Sequence, residues 1–303
     1  MDSPRNILAV PGSNARMIEK ALASSADAVF LDLEDAVASA EKEPARTLVI
    51  DALRQGDWRG KTRTIRINPV VSMHCYRDLV EVVEAVGASI DAIIVPKVNA
   101  PEDVVTVATL LGQLEQFTQR TVPIRIEVQI ESARGLTNCE AIAASSDRLV
   151  SLVFGPGDFA SDAGMPADNI GMIDRWDMAY NGHRWHYAMS RIVVAARAFG
   201  LRPVDGPYAE FQDVYGLTRS SVTARALGFD GKWCIHPGQL QTVADIFSPT
   251  AADFARAAST VAVYDQAIAE GKGAVSVDGQ MIDAASMQIA QKTLQRAREM
   301  GLA

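Results

Sequence analysis

The feature that most constrains the fold of this chain is an alternation. A short β-rich apolar run is followed by a helix-like stretch, about eight times in succession. The runs are Ile7–Pro11, Ala28–Leu33, Thr64–Asn68, Ala92–Val98, Ile124–Ile130, Leu149–Phe154, Pro203–Pro207 and Lys232–Ile235. Helices are expected after them at Asn14–Ser24, Glu43–Leu53, Tyr76–Val86, Glu102–Phe117, Ala133–Ala144, His186–Phe199, Tyr215–Leu227 and Gly238–Ile246. Strands separated by helices pair in parallel, because a crossover of that length brings the chain back in the same direction. Eight such units in about 245 residues match the size of a closed α/β fold, the (β/α)8 TIM barrel. An open doubly wound sheet is the weaker reading, since no G-x-G-x-x-G follows the first run. Pro11-Gly12-Ser13-Asn14 reads as a turn with a helix cap.

Residues 248–303 fall outside the repeat. Thr250 is expected to cap a helix reaching Glu270, and Gly271-Lys272-Gly273 to break it. Val275-Ser276-Val277 with Asp278-Gly279 reads as a small hairpin or turn, and Ile282–Met300 as a last helix. The segment is too small for a core of its own. The expected division is a barrel over residues 1–247 and a helical lid over 248–303 that docks on the barrel or on a neighbouring subunit.

With 48% hydrophobic and 22% charged residues among 303, the composition is that of a globular chain. A net charge of −8 and a sequence pI near 5.1 argue against a nucleic-acid partner. No apolar run approaches the ~18 residues of a membrane span. Met1-Asp2-Ser3-Pro4-Arg5 has neither the basic nor the apolar region of a signal peptide. Cys75, Cys139 and Cys234 lack metal or disulfide spacing. A reduced, soluble, cytoplasmic protein is expected.

Active sites of such barrels are built at the C-terminal ends of the strands. Here the apolar runs end in polar residues again and again. They end in Asp32-Leu33-Glu34-Asp35, Arg66-Ile67-Asn68, Pro96-Lys97, Gln129-Ile130-Glu131, Gly155-Pro156-Gly157-Asp158, Asp205-Gly206-Pro207 and His236-Pro237. Taken singly, such residues read as caps and turn formers, as Asp205 and Asn68 do. Taken together they put carboxylates and cations on one rim, where like charges need a divalent cation. Glu131 and Asp158, from adjacent runs, form an all-oxygen pair suited to Mg2+. The glycines of Gly155–Asp158 let backbone N–H groups approach a substrate carboxylate. His183 and His186 read as surface or lid residues, and Cys234 as a buried structural thiol. Lys97 reads as the ion-pair partner of the nearby acids rather than a Schiff-base nucleophile.

The segments "AVPGSNARMIEKALASSADAVFLDLEDAV", "RIN", "IIVPKV", "IESARGL", "VFGPGDFA", "LRPVDGPY", "LGFDGKWCIHPGQL" and "GAVSVDGQMIDAASMQIA" follow one another along the chain. In them the sequence resembles the HpcH/HpaI aldolase and citrate lyase β-subunit family, and within it the malyl-CoA lyase branch. The resemblance implies a barrel with a C-terminal lid, assembled as a homotrimer or homohexamer. It implies Mg2+, with Mn2+ as an alternative, held by Glu131 and Asp158. It implies Arg66 at the substrate oxyanion, and the backbone of Gly157 and Asp158 at the carboxylate of glyoxylate or of the malyl group. Asp283 becomes the acid/base group delivered into a neighbouring subunit's site. Lys20 becomes a contact to the CoA phosphates. Ala9 and Asn14 depart from the branch pattern, which gives Arg16 a part in holding CoA. The loop from Ser161 to Trp185, shorter than in several relatives, is placed to shape acyl specificity. The implied reaction is reversible cleavage of malyl-CoA or β-methylmalyl-CoA to glyoxylate and acetyl- or propionyl-CoA. A citramalyl-CoA lyase, a malyl-CoA thioesterase and a citrate lyase β-like subunit are the alternatives.

Overall fold

The structure is a computed structural model that describes residues 4–172, 174–180, 183–277 and 279–301. Eight strands pair in parallel and in sequence order, and the eighth returns to the first to close a barrel. They are β1 (Asn6–Pro11), β2 (Ala28–Asp32), β3 (Thr62–Arg66), β4 (Ala92–Val95), β5 (Arg125–Ile130), β6 (Leu149–Phe154), β7 (Arg202–Asp205) and β8 (Gly231–Cys234). The expected alternation therefore produces the expected fold, with strand limits shifted by up to three residues. β4 stops at Val95, and Pro96 and Lys97 belong to the loop.

Side chains of period two fill the barrel interior. Ile7, Ala28, Phe30, Ile94, Val153, Val204 and Trp233 form one buried cluster, with Ala9 packed against it. Burying residues such as Phe30, Ile94 and Val153 stabilises the fold by about 1.5–3 kcal/mol each. The same period carries the pattern up to polar residues at the rim. Phe30 leads to Asp32, Thr64 to Arg66, and Glu127 through Gln129 to Glu131.

Some local expectations change. The helix predicted over Ala133–Ala144 is two short ones, Ala133–Thr137 and Cys139–Ala143, broken at Asn138. The segment between Phe154 and His186 holds two short helices, Pro156–Asp162 and Arg175–Ala179, where an unbroken loop was expected. Asn14 does cap the first helix, accepting from the Met17 N–H at 3.0 Å. Cys75, Cys139 and Cys234 are buried, and burial pushes each thiol up to about 12. Among the described residues no helix is long and apolar enough to cross a membrane.

The chain divides into two compact units. One, Pro4–Ala244, carries the barrel. The other contains the chain from Asp245 onward. There Thr250 and Asp253 form a reciprocal capping box at the start of helix Ala251–Ala269. Strands Val275–Val277 and Gln280–Ile282 pair antiparallel as a hairpin, and Asp278 of its turn lies outside the described residues. The last helix is Ala284–Glu299, and Asp283 is its N-cap rather than part of its first turn.

Candidate active site

Asp32 and Arg66 end neighbouring strands and are paired directly in register. The Asp32 carboxylate accepts from Arg66 Nε at 2.8 Å and Nη2 at 2.6 Å, a two-point fork. It also accepts the backbone N–H of Glu34 and Ala36, which curls the rim loop over the fork. Arg66 Nη1 donates to Gln129 Oε1 at 3.2 Å and faces Glu34 Oε2 at 3.1 Å as an ion pair without hydrogen-bond alignment. Burial works against the guanidinium charge, yet Asp32, Glu34 and Glu131 hold its pKa above the ordinary arginine value.

Lys97 sits at φ +53°, a left-handed conformation that a non-glycine residue adopts under local constraint. There its N–H meets Glu131 Oε1 at 2.7 Å, while its amine reaches Glu34 at 2.6 Å and Asp35 at 3.1 Å. Burial opposes the ammonium charge, but those acids raise the lysine pKa, so Lys97 is a protonated ion-pair partner and not an amine nucleophile. Burial also pushes the Glu34 carboxyl up, against the pull of Arg66 and Lys97.

Glu131 is the pivot of the rim. It is 3% exposed, and burial together with the nearby Asp158 charge pushes its carboxyl up to about 8. Gln129 Nε2 donates to its second oxygen at 3.0 Å. Each Glu131 oxygen thus accepts one hydrogen bond and keeps a lone pair. Gly155 directly follows the neighbouring strand β6, its N–H on the Ile130 carbonyl at 3.1 Å. Any Cβ at Gly155 would run into Glu131 Oε2 and lie 2.5 Å from Glu131 Cβ. The chain then enters helix Pro156–Asp162, so Gly157 and the half-buried Asp158 occupy a first turn. Their N–H groups have no intrahelical acceptor. Glycine at 157 also makes room for the Ile170 side chain, which would lie 3.2 Å from an added Cβ.

A buried carboxyl raised by burial and by a second carboxylate nearby fits a small hard cation that keeps several waters. No cluster of three or more His, Cys, Asp or Glu with ligand geometry occurs among the described residues. Glu131 and Asp158 offer oxygen donors only, a chemistry that would suit Mg2+ or Mn2+ better than zinc.

Other residues named from the sequence lie outside this network. His236 is exposed, caps Pro237–Gln239 through the Gly238 N–H and stacks on Phe211 at 4.7 Å. Asp205 is no cap: it is buried in an ion pair with Lys232 at 2.5 Å. Asn68 is no cap either. It donates to the Leu33 carbonyl and to Asp78, and the buried Lys42 amine donates to the carbonyls of Leu33 and Glu34. Those contacts hold the loop carrying Glu34 from behind. Arg16 and Lys20 stand four residues apart on the exposed face of helix Ala15–Leu22. Asp283 belongs to the second unit, where it accepts from Ser286 N–H at 2.9 Å and Oγ at 3.0 Å. Those bonds hold its carboxyl below the ordinary range.

The sequence places Gln129 among the strand-end residues without pointing to a role for it, and gives no sign of Lys42. Gln129 was within reach, since it lies two residues before Glu131 on the same strand face. Lys42 gave no signal, because a lysine opening a helix reads as solvated.

A family model described as HpcH/HpaI aldolase/citrate lyase matches residues 5–237. The L-malyl-CoA/β-methylmalyl-CoA lyase of Cereibacter sphaeroides is 38% identical over 95% of this chain and 92% of its own. The (3S)-malyl-CoA thioesterase of the same species is 34% identical over 97% of this chain and 94% of its own. The crystal structure of CitE from Mycobacterium tuberculosis, in complex with magnesium, acetoacetate and coenzyme A, superposes with a TM-score of 0.76 at 29% identity. It covers 97% of this chain and 98% of that one.

Proposed function

The chain belongs to the HpcH/HpaI aldolase/citrate lyase family, and from that premise we propose that it is a Mg2+-dependent acyl-CoA carbon–carbon lyase. Its proposed substrate is malyl-CoA or β-methylmalyl-CoA, cleaved reversibly to glyoxylate and acetyl- or propionyl-CoA. The observation that carries the reading is the Glu131–Asp158 pair set beside an Arg66 forked to Asp32 on one rim.

Glu131 and Asp158 would hold the cation. When bound, it supplies Lewis-acid charge at the 2-hydroxyl oxygen, which becomes the glyoxylate carbonyl. The N–H groups of Gly157 and Asp158 orient the substrate carboxylate at the helix start. In cleavage the hydroxyl proton passes to the ionised carboxylate of the proposed acid/base group, the C2–C3 bond breaks, its electron pair passes to the thioester as an enolate, and the enolate carbon then takes up that proton. Three of the five Arg66 N–H groups are engaged among the described residues, which leaves two for that enolate oxygen. Asp283 of a neighbouring subunit, in a homotrimer or homohexamer, is the proposed group that protonates the enolate carbon and removes the proton in condensation. Its lowered pKa keeps it ionised at neutral pH, as the condensation base must be. Arg16 and Lys20 are the proposed cations for the CoA phosphates.

The identity with a thioesterase supports a second reading, hydrolysis of malyl-CoA on the same rim. Acyl choice is tested by presenting the purified protein and Mg2+ with malyl-CoA, β-methylmalyl-CoA and citramalyl-CoA. The proposal expects turnover of the first two to glyoxylate. Pyruvate from citramalyl-CoA as the dominant product overturns it.

A further inference from the structure

We propose that Trp233 is a positioning residue for this reaction: with Phe30 it forms an aromatic notch that fixes the plane of the Arg66 guanidinium. The inference rests on the reading that Arg66 meets the enolate oxygen. The Arg66 Cζ lies 5.6 Å from the Trp233 ring centroid and 5.7 Å from that of Phe30. The two rings are 4.5 Å apart and tilted by 46°. Both are buried, Trp233 at 3% and Phe30 at 0% exposure.

The Asp32 fork alone does not fix the guanidinium. It grips one edge, through Nε and Nη2, and beyond it only the longer Nη1 contacts, to Gln129 at 3.2 Å and Glu34 at 3.1 Å, oppose rocking about that edge. Rocking displaces the two remaining N–H groups, and donors aimed at a developing charge lose their value within tenths of an ångström. A π face beside the cation resists that motion, because its quadrupole attracts the guanidinium face and its bulk blocks the swing. The second observation is that the Trp233 indole N–H is buried without an acceptor. A phenylalanine in the same apolar cluster would carry no orphaned donor. The residue is thus explained by its ring face, which for tryptophan is the strongest cation partner, and not by its polar edge.

The test compares Trp233→Leu, Trp233→Phe, Phe30→Leu, Arg66→Ala and Arg66→Ala/Trp233→Leu in the full chain with Mg2+. Trp233→Leu is expected to lower kcat about thirtyfold, the size of a desolvated cation–π contact, with KM within about twofold. Trp233→Phe, which keeps a ring face, is expected to recover most of that loss. Guanidinium chloride at tens of millimolar is expected to restore saturable turnover to Arg66→Ala, and the double variant to need about tenfold more. If Trp233→Leu does not fold, Phe30→Leu removes the other face and is expected to lower kcat by a similar factor. A kcat within twofold of wild type for the folded leucine variant overturns the proposal, as does equal rescue in the two Arg66→Ala backgrounds. Wild-type turnover by Arg66→Ala itself overturns the role given to Arg66, a failure distinct from that of the notch.

Discussion

At the scale of single residues, the rim places Glu131 near the Asp158 charge, where on the proposed reading a cation resolves the repulsion. A carboxyl pushed up to about 8 is mostly protonated at pH 7, and a metal must displace that proton. The affinity for Mg2+ is therefore expected to fall about tenfold per pH unit below 8. The sign for stability follows. Between the unfolded and folded pKa values the folded state binds the extra proton, so the metal-free protein loses stability as pH rises through that window. Thermal shifts with and without Mg2+ at pH 6, 7 and 8 are expected to show the largest stabilisation by metal at pH 8. Equal shifts at all three would contradict the assignment of Glu131. Asp158→Ala removes both a ligand and the neighbouring charge, so Mg2+-stimulated turnover is expected to fall more than about a hundredfold. Full stimulation of that variant by added Mg2+ would mean the ligand is elsewhere. The polar rim was legible in the sequence, because period-two alternation puts Asp32, Arg66 and Glu131 on the inner face. Trp233 was not, because an aromatic within an apolar strand reads as core whichever cation it faces.

At the scale of elements, strand order and parallel pairing followed from the alternation alone. The segments that escaped prediction are those where side chains rather than periodicity set the backbone. Asn138 breaks the helix after β5, and Pro156 starts a helix directly after Gly155. Asp283 leaves the last helix to cap it, since its side chain satisfies the Ser286 N–H. The junction of β5 and β6 is a sensitive element, for there the Glu131 side chain fills the space that a Cβ would need. Gly155→Ala is expected to destabilise the fold by about 1–3 kcal/mol and to weaken Mg2+ binding by the protein that remains folded. Calorimetric titration with Mg2+ at pH 8 checks this, and an unchanged affinity would mean that Glu131 does not depend on that close approach.

At the scale of the whole molecule, the chain forms a barrel with a rim of charge and a C-terminal unit that carries Asp283, for which the proposed function requires a site to act on. The proposal assigns that site to another copy of the chain. Asp283→Asn is expected to keep Mg2+ binding and lose most turnover. Mixing it with inactive Glu131→Gln under exchanging conditions is expected to restore roughly a quarter of wild-type activity, because about one site in four then combines an intact rim with an intact Asp283 from its neighbour. No recovery would place the two residues in the same chain's site. The central claim, carbon–carbon cleavage, is tested most directly by product stoichiometry from malyl-CoA and Mg2+. The account predicts glyoxylate and acetyl-CoA in equal amounts, with no free thiol released and no turnover after chelation of the metal. Free CoA and malate without glyoxylate would contradict it and establish hydrolysis instead.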